Sequence, residues 1–190
     1  MPIDNFIAAL RSKDNDAFRK LVEIYRQKVF NTAISLMQDH GAAEDISQEV
    51  FVTVFRSVAS FDERSSLSTW IYRITVNKCL DQLRARKRQK YSLFSRFINT
   101  NFEETAVSSG FEHPGIKLEH RETARYLFKA IETLPYSQKT VFVLAHIEEL
   151  PQKEIAEIMN ISVKAVESLL QRAKGNLRKK LSAIYTKEKQ

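Results

Sequence analysis

Lys164, Ser168, Gln171, Arg172 and Arg178 fall along one side of a helix when positions advance by the 3.6-residue period, and Val163, Val166, Leu170, Ala173 and Leu177 fall along the other. Arg and Gln carry paired hydrogen-bonding groups that match base edges in a major groove, while Lys and Ser can hold phosphates. Such a face by itself is more often the solvated side of an ordinary bundle helix. The residues just upstream shift the balance. Ile155, Ala156 and Met159 keep helical spacing, Asn160 is a side chain that tolerates left-handed backbone, and Ser162 can cap a following helix. Pro151 to Leu177 therefore reads as two helices joined by a tight turn, a DNA-docking geometry. Residues 151–190 hold nine Lys/Arg against four Glu, which suits a polyanion.

A second stretch offers different chemistry. Trp70, Arg73, Asn77, Arg84 and Arg88 share a helical stripe opposite Thr69, Tyr72, Val76, Cys79, Leu80 and Leu83. Residues 64–90 contain eight Lys/Arg and one Asp, most of the charge lying in RARKRQK. An aromatic platform beside cations suits single-stranded or partly opened nucleic acid, where bases stack and phosphates are neutralised. The alternative is a half-buried Trp beside a solvated basic tail. A third stretch has the opposite sign: from Asp39 to Phe55 there are four acids and no Lys or Arg. Asp45, Gln48, Glu49 and Thr53 lie across from Ile46, Val50, Val54 and Val58. Nucleic acid would repel such a face, so it meets either water or a basic protein partner, and periodicity alone favours water.

The elements that must carry these faces are helical. The chain has 190 residues, a net charge of +7, four Gly, four Pro and few alternating β-branched runs, which predicts an all-α fold. One cysteine, Cys79, excludes an internal disulfide and a Cys-based zinc site, and four scattered His lack ligand spacing. No metal, cofactor or catalytic residue is expected: a Gly-rich phosphate loop is absent, and Gly41, Gly110, Gly115 and Gly175 stand alone. With no apolar run of membrane-spanning length and no leader-like N-terminus, the expected setting is the cytoplasm, without membrane insertion.

Helices are expected over Ile3–Leu10, from Asp14 or Asn15 to about Met37, from near Gly41 to Val58, and from Leu67 to about Lys90 under a Ser66 or Ser68 cap. Phe18, Leu21, Val22, Tyr25, Val29 and Leu36 form a core stripe on the second. Residues 1–90 make one small helical domain, 91–117 a flexible linker with SSG, Pro114 and Gly115 among scattered Phe and Glu, and 118–190 a second domain. In that second domain Leu127, Ile131 and Leu134 are expected to meet Val141, Phe142, Leu144, Ile155 and Val166 in one four-helix core. Gly175 inside the last helix marks either close backbone approach or a weak helical end.

Together the stretches resemble the extracytoplasmic-function (ECF) sigma factors of bacterial RNA polymerase, over nearly the whole chain. AEDISQEVF at 43–51 looks like the family's polymerase-docking helix and STWIYRITVN at 68–77 like its melting helix. LPYSQKTVFVL at 134–144 looks like the opening of its second domain, and EIAEIMNISVKAVESLLQRAKGNLRK at 154–179 like its helix-turn-helix. The resemblance reverses the reading of the acidic face: Asp45, Gln48 and Glu49 would contact the clamp of the polymerase largest subunit. Trp70, Arg73, Asn77, Arg84 and Arg88 would serve the minus-ten element, with a loop near Phe61 to Leu67 capturing a flipped-out base. Lys164, Ser168, Gln171, Arg172 and Arg178 would serve the minus-thirty-five element. Such a factor melts promoter DNA without catalysing a bond change, is a monomer when free, and is commonly held by an anti-sigma factor. Two departures stand out: Trp70 is followed by Ile71 where primary sigma factors pair two Trp, and Glu167, Ser168 and Leu169 replace a basic residue followed by Ser-Arg. The competing reading is a stand-alone helix-turn-helix regulator that needs no polymerase.

Overall fold

Asp14 and Asp39 set the beginnings of two long helices. The Asp14 carboxylate accepts the amide of Ala17 at 2.7 Å and that of Asp39 accepts Ala42 at 2.9 Å, each satisfying a donor that a helix start leaves over. The computed structural model describes residues 3–96 and 121–188. Among them the elements are α1 (Ile3–Arg11), α2 (Asn15–Met37), α3 (His40–Ser57), α4 (Leu67–Arg96), α5 (Arg121–Glu132), α6 (Tyr136–His146), α7 (Gln152–Met159) and α8 (Val163–Glu188). A short 3₁₀ turn, Val58–Ser60, follows α3. The described residues are all-α, as expected. The expected linker begins inside α4, which extends to Arg96, and its part from 97 onward lies outside the described residues.

Gln38 ends α2 in left-handed backbone (φ 52°), which lets α3 turn back at once against it. α2, α3 and α4 pack around Leu21, Val29, Ile34, Leu36, Ile46, Val50, Val54, Ile71, Val76 and Cys79, all buried. The expected stripe on α2 is half right: Leu21, Val29 and Leu36 are buried, while Phe18, Val22 and Tyr25 are half-buried.

The second half departs from the expected single four-helix core. Phe128, Ala130, Ile131 and Leu134 pack with Ala173 and Leu177 of α8, and Leu127 and Phe142 line that cluster. Val141, Val143, Leu144, Ile155 and Val166 instead join the core formed by α2, α3 and α4. The reason is amphipathic: α6 and α7 each carry apolar residues on more than one side, so each packs on α8 while another side lies against α2 for α6 and against α4 for α7. Val163 also departs from expectation. It stands at the first position of α8 and is 41% exposed, the packed seam beginning one turn later at Val166.

Candidate functional site

The helix-turn-helix forms as its residues require. Asn160 ends α7 at φ 52°, ψ 49°, and its amide reaches back into the last turn. The Ser162 hydroxyl accepts the amide of Ala165 at 3.1 Å and so starts α8. Lys164, Ser168, Gln171, Arg172 and Arg178 are all exposed along α8, while Val166, Leu170, Ala173 and Leu177 are buried beneath them. A Cβ built on Gly175 would meet nothing within 4 Å, so close backbone approach is not the reason for that glycine.

Asp45, Gln48 and Glu49 lie together on the exposed side of α3. They line a shallow groove of about 530 Å³ whose other wall is Lys78 and Gln82 of α4. Glu49 meets Lys78 at 3.2 Å, an exposed pair of small energetic weight. Val52 lies in the same groove and is 48% exposed. An apolar side chain left in water among acids is what a protein-binding face looks like, and the sequence pattern did not single it out.

On α4 the stripe divides. Ser66 caps the helix by accepting the Thr69 amide at 3.0 Å. Trp70 is half-buried with its ring 5.1 Å from that of Phe61, and the two line a cavity of about 570 Å³ with Asp62, Arg64 and Arg73. Hydrogen bonding and charge from Arg64 hold the exposed Asp62 carboxyl below the usual carboxylate range. Arg11 of α1 fixes this loop from outside: it donates to the Phe61 carbonyl at 2.6 Å and pairs with Glu63 at 2.7 Å. Nothing in the periodicity of α1 pointed to that role. Asn77, Arg84 and Arg88 lie further along α4 and are exposed. Arg86, in the same basic run, is paired at 3.0 Å with Asp39, whose carboxyl is lowered first by the Ala42 amide and then by Arg86. That arginine ties α4 to the start of α3.

The other half of the chain packs against the start of α4, chiefly on the Thr69–Tyr72 side opposite the stripe and, within the stripe, at Arg73. Thr69 donates to Glu154 at 3.1 Å, Tyr72 to Glu148 at 2.9 Å, and Arg73 to the Glu157 carbonyl at 2.8 Å. Burial, followed by the charge of Glu148, pushes the Tyr72 phenol well above its usual range. Among the described residues no group of three or more His, Cys, Asp or Glu could hold a metal ion. No described helix is long and apolar enough to cross a membrane.

Residues 21–89 match Sigma-70 region 2 and residues 124–177 match Sigma-70 region 4. The chain is similar to the ECF RNA polymerase sigma factor SigW of Bacillus subtilis, with 34% identity over 185 residues, 95% of this chain and 97% of the relative. The chain belongs to the ECF sigma factors. The ECF RNA polymerase sigma-E factor of Escherichia coli K12 is 30% identical over 94% of this sigma factor and 93% of its own length. In fold the sigma factor is similar to CnrH, solved in complex with the cytosolic domain of CnrY, with a TM-score of 0.67, 25% identity and coverage of 94% of this chain and 96% of that one. The two matched regions fall on α2–α4 and α5–α8, so one region carries the acidic groove and the Trp70 cavity and the other carries the helix-turn-helix. Sigma factors are transcription initiation factors, and this one acts with RNA polymerase in that step.

Proposed function

We propose that this sigma factor docks on the clamp of the polymerase largest subunit through Asp45, Gln48 and Glu49, reads the minus-ten element with Trp70, Arg73, Asn77, Arg84 and Arg88, and reads the minus-thirty-five element with Lys164, Ser168, Gln171, Arg172 and Arg178. Residues 1–90 and 118–190 are the two working domains and 91–117 the connection between them. It opens the duplex by holding unpaired bases, so it needs neither metal nor cofactor and is not an enzyme. Its setting is the cytoplasm, where it is monomeric when free and is bound by an anti-sigma factor, as the sigma factor RpoE from Bartonella quintana is in its co-crystal structure with the anti-sigma factor NepR.

The observation that carries this reading is the separation of charge by face. Acids and the exposed Val52 occupy one side of α3, while cations occupy the outer sides of α4 and α8. A stand-alone operator binder has no use for the acidic groove. Replacing Asp45 and Glu49 with Lys is expected to abolish association with core polymerase while leaving the far-UV circular dichroism unchanged, since the ion pair lost with Glu49 contributes at most about 1 kcal/mol. Normal core binding by that variant overturns the docking assignment. In vitro transcription with core polymerase on a randomised promoter library tests the two DNA faces together.

A further inference from the structure

Residues 61–66 join the 3₁₀ turn to α4, and this loop is held from α1. One nitrogen of Arg11 makes both contacts: Nη2 donates to the Phe61 carbonyl at 2.6 Å and meets Glu63 Oε1 at 2.7 Å. Its own helix is anchored, because Ile7 and Leu10 are buried and α1 packs against the 3₁₀ turn. Arg11 therefore reaches the loop from a fixed base. Glu63 stands at φ 59°, a left-handed backbone that a side chain with a Cβ disfavours. The turn closes around it: the Arg64 amide reaches Asp62 Oδ1 at 3.3 Å, and Arg64 Nε meets the other carboxylate oxygen. Asp62 and Arg64 line the Trp70 cavity, whereas Glu63 between them and Arg11 behind them do not. An exposed ion pair alone contributes little. This one shares its nitrogen with a charge-assisted bond to a backbone carbonyl and sits on the residue whose backbone most needs holding. Arg11 also lies ahead of residues 21–89, the stretch that matches Sigma-70 region 2.

We propose that Arg11 is a positioning residue for base capture: by holding the Phe61 carbonyl and the Glu63 carboxylate on one nitrogen, it keeps the 61–66 loop in its binding shape before DNA arrives and so sets how strongly one minus-ten base is selected. The inference rests on the assignment of the Trp70 cavity and its loop to a flipped-out minus-ten base. Arg11 acts through the loop and touches no DNA. A loop that holds its binding shape for only a fraction of the time binds more weakly by that fraction, so fixing it in advance strengthens capture without adding a contact. The cavity takes one nucleotide. The effect is therefore confined to one promoter position, and promoters with a base there that is not captured gain nothing from Arg11.

Full-length chains carrying Arg11→Ala, Glu63→Gln, both changes, or Arg19→Ala, which removes the same charge from the exposed side of α2, are reconstituted with core polymerase. Each transcribes a promoter library randomised across both elements. Arg11→Ala is expected to lower transcription from promoters with the preferred base at one minus-ten position about fivefold, the loss given by a loop that keeps its shape about one fifth of the time. Preference at every other position and binding to core should match the Arg19→Ala chain. Glu63→Gln keeps the Phe61 bond and should lose about twofold, as for an exposed ion pair. Adding it to Arg11→Ala should lose nothing more, because the two side chains act as one unit. Arg11→Lys keeps a cation that can donate to both oxygens and should restore most of the preference. Trp70, the one tryptophan, stands against Phe61 and reports on the same loop. Its acrylamide quenching is expected to rise in the folded Arg11→Ala chain and to stay unchanged in Arg19→Ala. An unchanged preference in Arg11→Ala, or a loss spread evenly over all positions, overturns the proposal. If Arg11→Ala fails to fold, Glu63→Gln decides, and a preference equal to wild type overturns it. Asp62→Ala separates the proposal from the reading beneath it: a flattened position in Asp62→Ala beside an unchanged one in Arg11→Ala keeps the loop assignment and removes Arg11, while no change in either removes both.

Discussion

Cys79 shows how burial settles a side chain's chemistry. It is fully buried on α4, and desolvation pushes its thiol up to about 12, despite the nearby Lys139. The reactive thiolate is therefore scarce and inaccessible. At pH 8 the native protein is expected to leave Ellman's reagent unreacted over hours, with one thiol released on denaturation; rapid reaction of the folded chain would contradict this burial. Glu148 makes a pH-dependent counterpart. Burial raises its carboxyl above the ordinary value, partly offset by the hydrogen bond from Tyr72. The Thr32 hydroxyl lies near but donates to the Lys28 carbonyl, leaving Glu148 Oε1 without a complete bond. A raised acid is protonated longer in the folded chain than in the unfolded one. Its stabilising contribution is thus full below the unfolded pKa of 4.5 and is lost as pH rises through the higher folded value. Glu148→Gln should match wild type in urea at pH 4 and exceed it at pH 7.5. A variant less stable than wild type at pH 7.5 would show that the ionised carboxylate is favourable there.

The helices were legible in the sequence wherever their signals are local. Asp14, Ser66, Asn160 and Ser162 act where capping chemistry places them, because each needs only its own neighbours within three or four residues. Replacing Asn160 with Val is expected to cost about 1–2 kcal/mol through its left-handed backbone, whereas Gly should be tolerated; chemical denaturation of the two variants checks this. Gly175 lies in open space within α8, so Gly175→Ala should stabilise the chain by about 1 kcal/mol. A loss of stability would mean that the helix axis is constrained there. Periodicity could not reveal which neighbour each apolar side meets. Val141, Leu144 and Ile155 have the same spacing whether they close a domain of their own or join α2 and α4. The donors from Tyr72, Tyr136 and Lys139 to partners at least 60 positions away carry no short-range signature either. The acids at 148, 154 and 157 were a usable signal, being negative residues within or beside a basic DNA-binding segment.

At the scale of the whole molecule, the net charge of +7 hides a division between faces. On the proposed reading, long-range attraction to DNA comes from the cations of α4 and α8, and specificity for the polymerase comes from the acidic side of α3. Arg172→Ala is expected to abolish upstream promoter binding and spare melting. If Arg172 contacts a phosphate, the dependence of log affinity on log salt should also flatten by about 0.9. An unchanged upstream footprint would remove Arg172 from the interface. The loop proposed to capture a base adds a dependence that spans the fold: its Phe61 carbonyl is held by Arg11, 50 positions earlier. On that reading, shortening the protein from its amino end would blur the choice of start site while recruitment of the enzyme went on as before, a fault in accuracy caused by a residue outside the proposed DNA contacts.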